Sequence, residues 1–290
     1  MTKVDRLDRE TSSEAKQFAF SGDDFRFLKD LAHARTGICL EGKNELVYSR
    51  LTRHLRRLGL TTFAAYCDLL RSGDEAELDA FTNSITTNLT YFFREDHHFE
   101  HLAGKVLPEI RQRNARERRL RIWSAGCSTG EEPYSIAMVL RESFAGIDEW
   151  DARILATDID GNVLDRARRG IYDLESARGL DGTRLSRWTQ RGKGGRDGQF
   201  RIKPQLREMI SFARLNLMED WPLKGPFDVI FCRNVLIYFE KPVQTRLVER
   251  YAEHLRPGGM LYIGHSESVP GINRFFEPLG QTRFLRRAGS

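Results

Sequence analysis

The stretch "IWSAGCSTGEEPYS", residues 122 to 135, places a glycine-bearing turn between an apolar run and a helical run, with Glu131 and Glu132 where that helix would begin. Three chemistries suit such a turn: a dinucleotide phosphate, a nucleophile at Cys127, or a cofactor of some other charge. The dinucleotide fingerprint G-x-G-x-x-G is not matched, because Ser124 and Thr129 stand at its first and third glycines around Gly126. A helix N-terminus meets phosphate with free N–H groups and the positive end of its dipole. Here Glu131 and Glu132 would repel a pyrophosphate and attract a cation. For Cys127 the helix start lowers the thiol pKa while the adjoining carboxylates raise it, and no histidine lies close in sequence, which disfavours a nucleophile. What remains is a nucleoside-bearing cofactor with positive charge and no phosphate. S-adenosylmethionine, with a sulfonium and an ammonium group, fits.

A second acid falls where such a cofactor needs one. "ARILATDID" ends a strand-like run at Asp158, the place where open α/β sheets set a carboxylate against ribose hydroxyls, with Asp160 the alternative if the strand ends later. Either acid could equally cap the following run "GNVLDRARRG". "RLNLME" and "FCRNVLIYF" also follow apolar runs, on the side of the sheet where ligands bind. Other groupings are less promising. "GHSES" lacks the second glycine of a hydrolase elbow. His97 and His101 share a helical face without the Glu of HExxH, and Cys39, Cys67, Cys127 and Cys232 show no zinc spacing, so no metal site is expected.

The elements that must position these residues fall into two regimes. Residues 1 to 18 mix charges with Ser and Thr and predict a disordered tail. Residues 19 to 85 predict an all-helical domain, with helices in "DDFRFLKDLAHART", "NELVYSRLTRHLRRLG", "TTFAAYCDLLRSG" and "DEAELDAFTNSI" punctuated by Gly37, Gly59 and Gly73. Residues 86 to 118 read as a linker between the two regimes. From 119 to 290, the strand-length runs "LRIWSA", "RILAT", "ISFARL", "FDVIFC" and "MLYIG" alternate with helical or loop segments, which implies parallel βαβ units in a doubly wound, Rossmann-like α/β sheet. The last 16 residues predict an antiparallel edge hairpin, and residues about 170 to 210 an inserted antiparallel β-subdomain around "RGKGGRDG".

Hydrophobic content of 40% with 30% charged residues is ordinary for a globular protein, and no apolar run approaches the roughly 20 residues that span a bilayer. The N-terminal residues resemble neither a signal peptide nor an anchor, so a cytoplasmic location without membrane insertion is expected. A net charge of +5 permits an acidic partner. Arg50, Arg53 and Arg57, with Arg56 beside them, recur at helical spacing and form a basic stripe.

Taken together, "TTNLTYFFRE", "AGCSTGEEPYS", "ATDID", "FCRNVLIYF" and "LRPGGMLYIGHSES" resemble the chemotaxis receptor methyltransferases, the CheR family, from about Phe20 to Arg287. "WSAGCSTG" is similar to the first motif of Rossmann-like methyltransferases, with Ser128 at its middle glycine and Ser124 where an acid often stands. The resemblance implies methyl transfer from S-adenosylmethionine to glutamates on the cytoplasmic helical bundle of chemoreceptors (methyl-accepting chemotaxis proteins), leaving S-adenosylhomocysteine and γ-glutamyl methyl esters. It also implies cofactor contacts at Asn88, Thr90, Arg94, Gly126, Glu131, Asp158, Asn216, Leu217, Arg233 and Asn234. Arg94 and Tyr238 are the candidates for lining the reacting centre, and Arg50, Arg53 and Arg57 for meeting the acidic receptor. The inserted subdomain resembles that of members which dock a receptor C-terminal peptide. A monomer is expected. The alternatives are a nucleic-acid methyltransferase and a non-catalytic receptor-binding module. "CRNVLIY" is unlike the Asn/Asp-Pro-Pro-aromatic motif of base amino-methylation, and Cys232 is not in a Pro-Cys context, so no nucleic-acid partner is expected.

Overall fold

A computed structural model describes residues 18–288. The tail expected over residues 1 to 18 lies outside them except for Phe18, which is buried and donates its N–H to Tyr48 Oη (3.2 Å). The chain divides into two compact units. One runs to Arg35 and covers Cys39–Ile85, and the other comprises Thr36–Ile38 and the chain from Thr86 onward.

The first unit is built from α1 (Gly22–Thr36), α2 (Asn44–Leu58), α3 (Phe63–Arg71) and α4 (Glu75–Ile85). α2 ends because Gly59 takes a left-handed φ of 70°, and α3 begins where the Thr62 hydroxyl accepts the Ala65 N–H (3.2 Å). Val47, Leu51 and Leu55 line the buried face of α2 at spacings of four. Within that face His54 pairs through Nε2 with the Glu77 carboxylate of α4, which also accepts the Tyr66 hydroxyl (2.9 Å). Arg53, Arg56 and Arg57 are exposed on the other side of α2. Arg50 is half-buried, and its guanidinium donates to the Ile85 carbonyl at the end of α4, so it also serves the packing of this unit.

The second unit contains β1 (Arg119–Ala125), β2 (Asp151–Asp158), β3 (Ile171–Asp173), β4 (Thr189–Arg191), β5 (Gln199–Ile202), β6 (Ile210–Arg214), β7 (Phe227–Cys232), β8 (Leu255–Ile263), β9 (Phe276–Pro278) and β10 (Arg283–Arg286). Its helices are α5 (His97–His101), α6 (Leu107–Arg113), α7 (Glu131–Ser143), α8 (Gly161–Arg169), α9 (Gly182–Trp188), α10 (Pro204–Arg207) and α11 (Lys241–His254). The main sheet runs β6-β2-β1-β7-β8-β10-β9, parallel through β8, with β10 and β9 antiparallel at the edge. β7 is buried at every position, as a central parallel strand covered on both faces must be. Successive residues of β1 feed opposite cores, Leu120 and Ile122 one and Trp123 and Ala125 the other.

The insertion forms a separate sheet, β3-β5-β4. Its β4–β5 hairpin is the one expected from the glycine-divided runs, and β3 adds a third antiparallel strand. The linker is more regular than its sequence suggested, since a π-helical turn, Leu102–Val106, joins α5 to α6. No helix among the described residues is long and apolar enough to cross a membrane.

At the end of the sheet away from the strand carboxyl termini, fully buried Asp228 accepts the Arg121 N–H (2.8 Å), Asn114 Nδ2 (2.9 Å) and Arg113 Nη2 (3.0 Å), and pairs with Arg256 Nε (3.1 Å). One carboxylate thus ties α6, β1 and β8 to β7. Its removal leaves Arg113 without its counter-charge, Arg256 with only the more distant Glu117 (3.8 Å), and Asn114 and the Arg121 N–H without their acceptor, so Asp228→Ala should lower stability by about 3–5 kcal/mol in urea unfolding. A loss below about 1 kcal/mol would mean that the network does not hold these elements.

Candidate functional site

The order of the parallel strands reverses between β1 and β7, so their following loops diverge and leave a crevice at the carboxyl ends. The loop after β1 is held by its backbone. The Gly126 and Cys127 N–H groups both donate to the Thr157 carbonyl (2.8 and 2.9 Å), and φ is positive at Gly126, Ser128 and Gly130. Gly126 admits no side chain, because a Cβ there would lie 2.3 Å from Val235 Cγ2 of the loop after β7.

The acids of this loop separate into distinct environments. Glu132 accepts the Ser124 hydroxyl (2.7 Å) and lies 3.6 Å from Arg233 Nε, whereas buried Glu131 takes the Thr129 hydroxyl (2.6 Å) and has Arg166 as a more distant positive charge. Burial pushes both carboxyls above the usual range. Asp158 ends β2 and accepts the N–H groups of Ser128 (2.8 Å) and Asp160 (3.0 Å); burial raises it to about 6 despite these bonds. The helix cap is Asp160, whose Oδ1 takes the Asn162 and Val163 N–H groups at 2.9 and 3.4 Å. The Cys127 thiol is buried and, chiefly by desolvation, pushed well above its ordinary pKa, which removes it as a nucleophile.

The linker closes over this loop. Asn88 donates through Nδ2 to Asp160 Oδ2 (2.8 Å), while its carbonyl accepts the Ser128 hydroxyl (2.9 Å). Thr90 is half-buried two residues on, and Arg94 turns back to donate to the Leu89 carbonyl (2.8 Å). Arg233, after β7, donates to the Arg94 carbonyl and lies 3.8 Å from Glu95 and over the Phe99 ring. Asn234, at φ 59°, donates its side-chain amide to Glu95 (3.3 Å). Burial raises the Glu95 carboxyl, but hydrogen bonds from His265 and Asn234 and the Arg233 charge bring it below its ordinary value. Beyond β6, Asn216 holds its own turn through the Met218 N–H (3.0 Å) and Glu219 (2.9 Å), and the buried Leu217 offers its carbonyl to Arg250 (2.8 Å). Tyr238 is half-buried in the short 3-10 turn Leu236–Tyr238.

The loops after β1, β2 and β7 and the linker therefore converge within the second unit, bringing together Asn88, Gly126, Asp158, Arg233 and Asn234. Glu132, one of the two acids the sequence sets at the start of α7, belongs to the same cluster, as do Glu95 and His265, which carry no local signal in the sequence. Glu95, His97 and His98 also place ligand atoms within 4.8 Å of one another, a spacing that suits a metal ion, yet the cation facing Glu95 is Arg233. His98 donates through Nε2 to the Gln281 carbonyl (2.9 Å), and burial lowers its pKa to about 3.

Residues 88–285 match the CheR methyltransferase SAM-binding domain, and residues 23–86 the CheR methyltransferase all-alpha domain. The chain belongs to the CheR methyltransferase family. It is 45% identical over 269 residues to chemotaxis protein methyltransferase 2 of Pseudomonas aeruginosa, covering 92% of this chain and 94% of that protein. It is 44% identical to the probable chemotaxis protein methyltransferase of Rhizobium etli, covering 88% and 96%, and 43% identical to the chemotaxis protein methyltransferase of Escherichia coli, covering 92% of each chain. It is thus an S-adenosylmethionine-dependent methyltransferase of the chemotaxis class, and neither nucleic-acid methylation nor a non-catalytic module is favoured. The residues fit that cofactor: two acids open α7 where a phosphate site would have none, and buried Arg233 Nη1 has no hydrogen-bond partner.

Because Gly126 has both a left-handed φ and no room for a Cβ, Gly126→Ala should weaken S-adenosylhomocysteine binding by roughly tenfold or more in calorimetry. Unchanged affinity in a folded variant would show that the close approach of the two loops is dispensable.

Proposed function

We propose that this chain transfers the methyl group of S-adenosylmethionine to glutamate side chains on the cytoplasmic helical bundle of chemoreceptors, acting in the cytoplasm and forming γ-glutamyl methyl esters. The observation that carries the reading is the acid-lined crevice after β1 and β2, which favours a cationic cofactor, in a chain whose relatives are named chemotaxis protein methyltransferases. When bound, the cofactor supplies an electrophilic methyl carbon and leaves as the neutral thioether S-adenosylhomocysteine.

The chain's own residues have little proton chemistry to do. A glutamate acceptor, with a pKa of about 4.3 in water, is already ionised. The histidines near the site are held by protein partners, His98 by the Gln281 carbonyl and His265 by Glu95 (2.9 Å), and the proposed reaction calls for no general base from them. The work is alignment and exclusion of water. Glu131 is assigned to the cofactor ammonium, Asp158 to the ribose, and Asn216 with Leu217 to the adenine. Arg94 and Arg233 are assigned to the cofactor carboxylate, and Asn88, Thr90 and Asn234 to holding the linker and loop around it. Arg94 and Tyr238 line the space for the acceptor carboxylate. The outer strands of the β3-β5-β4 sheet offer an edge to a receptor C-terminal peptide.

Labelled cofactor incubated with receptor cytoplasmic fragments should give base-labile label on glutamate; label stable to base, or none, would refute the assignment. Asp158→Asn should weaken S-adenosylhomocysteine binding by about tenfold near pH 8. Wild-type affinity should fall toward that of the variant as pH drops through about 6, because protonation removes the charged acceptor. Flat wild-type affinity across that range would exclude the ribose role. The exposed pair Arg53 and Arg57, reversed to Glu, should raise KM for receptor fragments by roughly tenfold at low salt while kcat stays within about twofold. An unaltered KM would rule out guidance by α2.

A further inference from the structure

We infer that Glu267 is a positioning residue for methyl transfer: from the loop after β8, its buried carboxylate pins the loop after β7 that carries Arg233, Asn234 and Tyr238. The inference rests on the reading above that this loop serves the cofactor and the acceptor. Glu267 lies in "GHSES", two residues after His265, and has no role in the assignments above. Its Oε2 accepts the Asn234 N–H (3.0 Å) and the Gly264 N–H, and its Oε1 accepts the Ile237 N–H (3.2 Å). β7 and β8 are parallel neighbours whose last residues, Cys232 and Ile263, stand in register, so this carboxylate ties together the two loops at their carboxyl ends.

Two features show that the arrangement is specific. Asn234 has a φ of 59°, the left-handed region that asparagine enters more readily than most residues, and it is fixed there by its N–H on Glu267 and its side-chain amide on Glu95. Gly264 leaves no space for a side chain: a Cβ would lie 2.4 Å from Asn234 Nδ2, 2.8 Å from Asn234 N and 2.9 Å from Glu267 Oε2. Only an ionised carboxylate offers acceptor oxygens to all these N–H groups with no donor of its own. A glutamine keeps one oxygen, which can serve Asn234 and Gly264 together, and turns its NH2 toward Ile237, next to Tyr238.

That asymmetry sets the test. Glu267→Gln should lower kcat by about tenfold while S-adenosylhomocysteine affinity stays within about threefold, and Glu267→Asp should recover part of the turnover. Gly264→Ala, which displaces Asn234 instead, should weaken S-adenosylhomocysteine by about tenfold. Wild-type kcat in Glu267→Gln, or wild-type affinity in Gly264→Ala, overturns the inference. If these variants do not fold, amide hydrogen exchange on the wild-type protein decides: slow exchange at Asn234, Ile237 and Gly264 supports the pin, and exchange at the rate of an open loop overturns it. Wild-type turnover and affinity in both Tyr238→Phe and Asn234→Ala would instead remove the underlying reading, and protection of the three amides distinguishes that failure from failure of the pin.

Discussion

The site depends on how one buried guanidinium is compensated. Arg233 is almost entirely withdrawn from solvent, and a charge so placed is tolerated only with counter-charges and hydrogen-bond acceptors close by. Those come from two separate segments: Glu132 at the start of α7, and the linker, which supplies both Glu95 and the Arg94 carbonyl. The same requirement that makes Arg233 affordable therefore locks the linker and the first helix of the sheet to the end of β7. A segment distant in sequence becomes a wall of the crevice.

The electrostatics follow from this division. Of the two adjacent acids that open α7, one faces Arg233 and the other does not, so the pair is not a uniform negative patch. Glu131 is instead held by the Thr129 hydroxyl, so a helix N-terminus, ordinarily a seat for anions, carries two carboxylates in different surroundings. Asp158 and Asp160 show the same separation of roles two residues apart. One ends the strand with its carboxylate on the Ser128 and Asp160 amides, and the other caps α8 while its second oxygen holds Asn88 and Thr86 of the linker.

Much of this was legible in the chain. Strand-length apolar runs separated by helical spacers specify parallel βαβ units because a parallel strand needs a crossover, and Gly59 and Thr62 mark helix ends by local backbone chemistry. What escaped the reading was whatever depends on a distant partner. Glu95, His265 and Glu267 carry no local signature, since a carboxylate that accepts backbone N–H groups from another loop looks in sequence like any surface acid. Arg50 reads as one of three equivalent arginines on a helix, yet the Ile85 carbonyl distinguishes it from Arg53 and Arg57.

The sequence by itself determined the alternation of elements, the acids at the start of α7 and the glycine-bearing turn after β1, because each rests on periodicity, helix polarity or steric freedom within a few residues. Only the tertiary structure decided which acid meets Arg233, which aspartate caps α8, and which carboxylate gathers the amides of Asn234, Ile237 and Gly264. Those choices are made where strand ends come together, and the order in which strands pair is set by packing between segments a hundred residues apart, to which no local pattern has access.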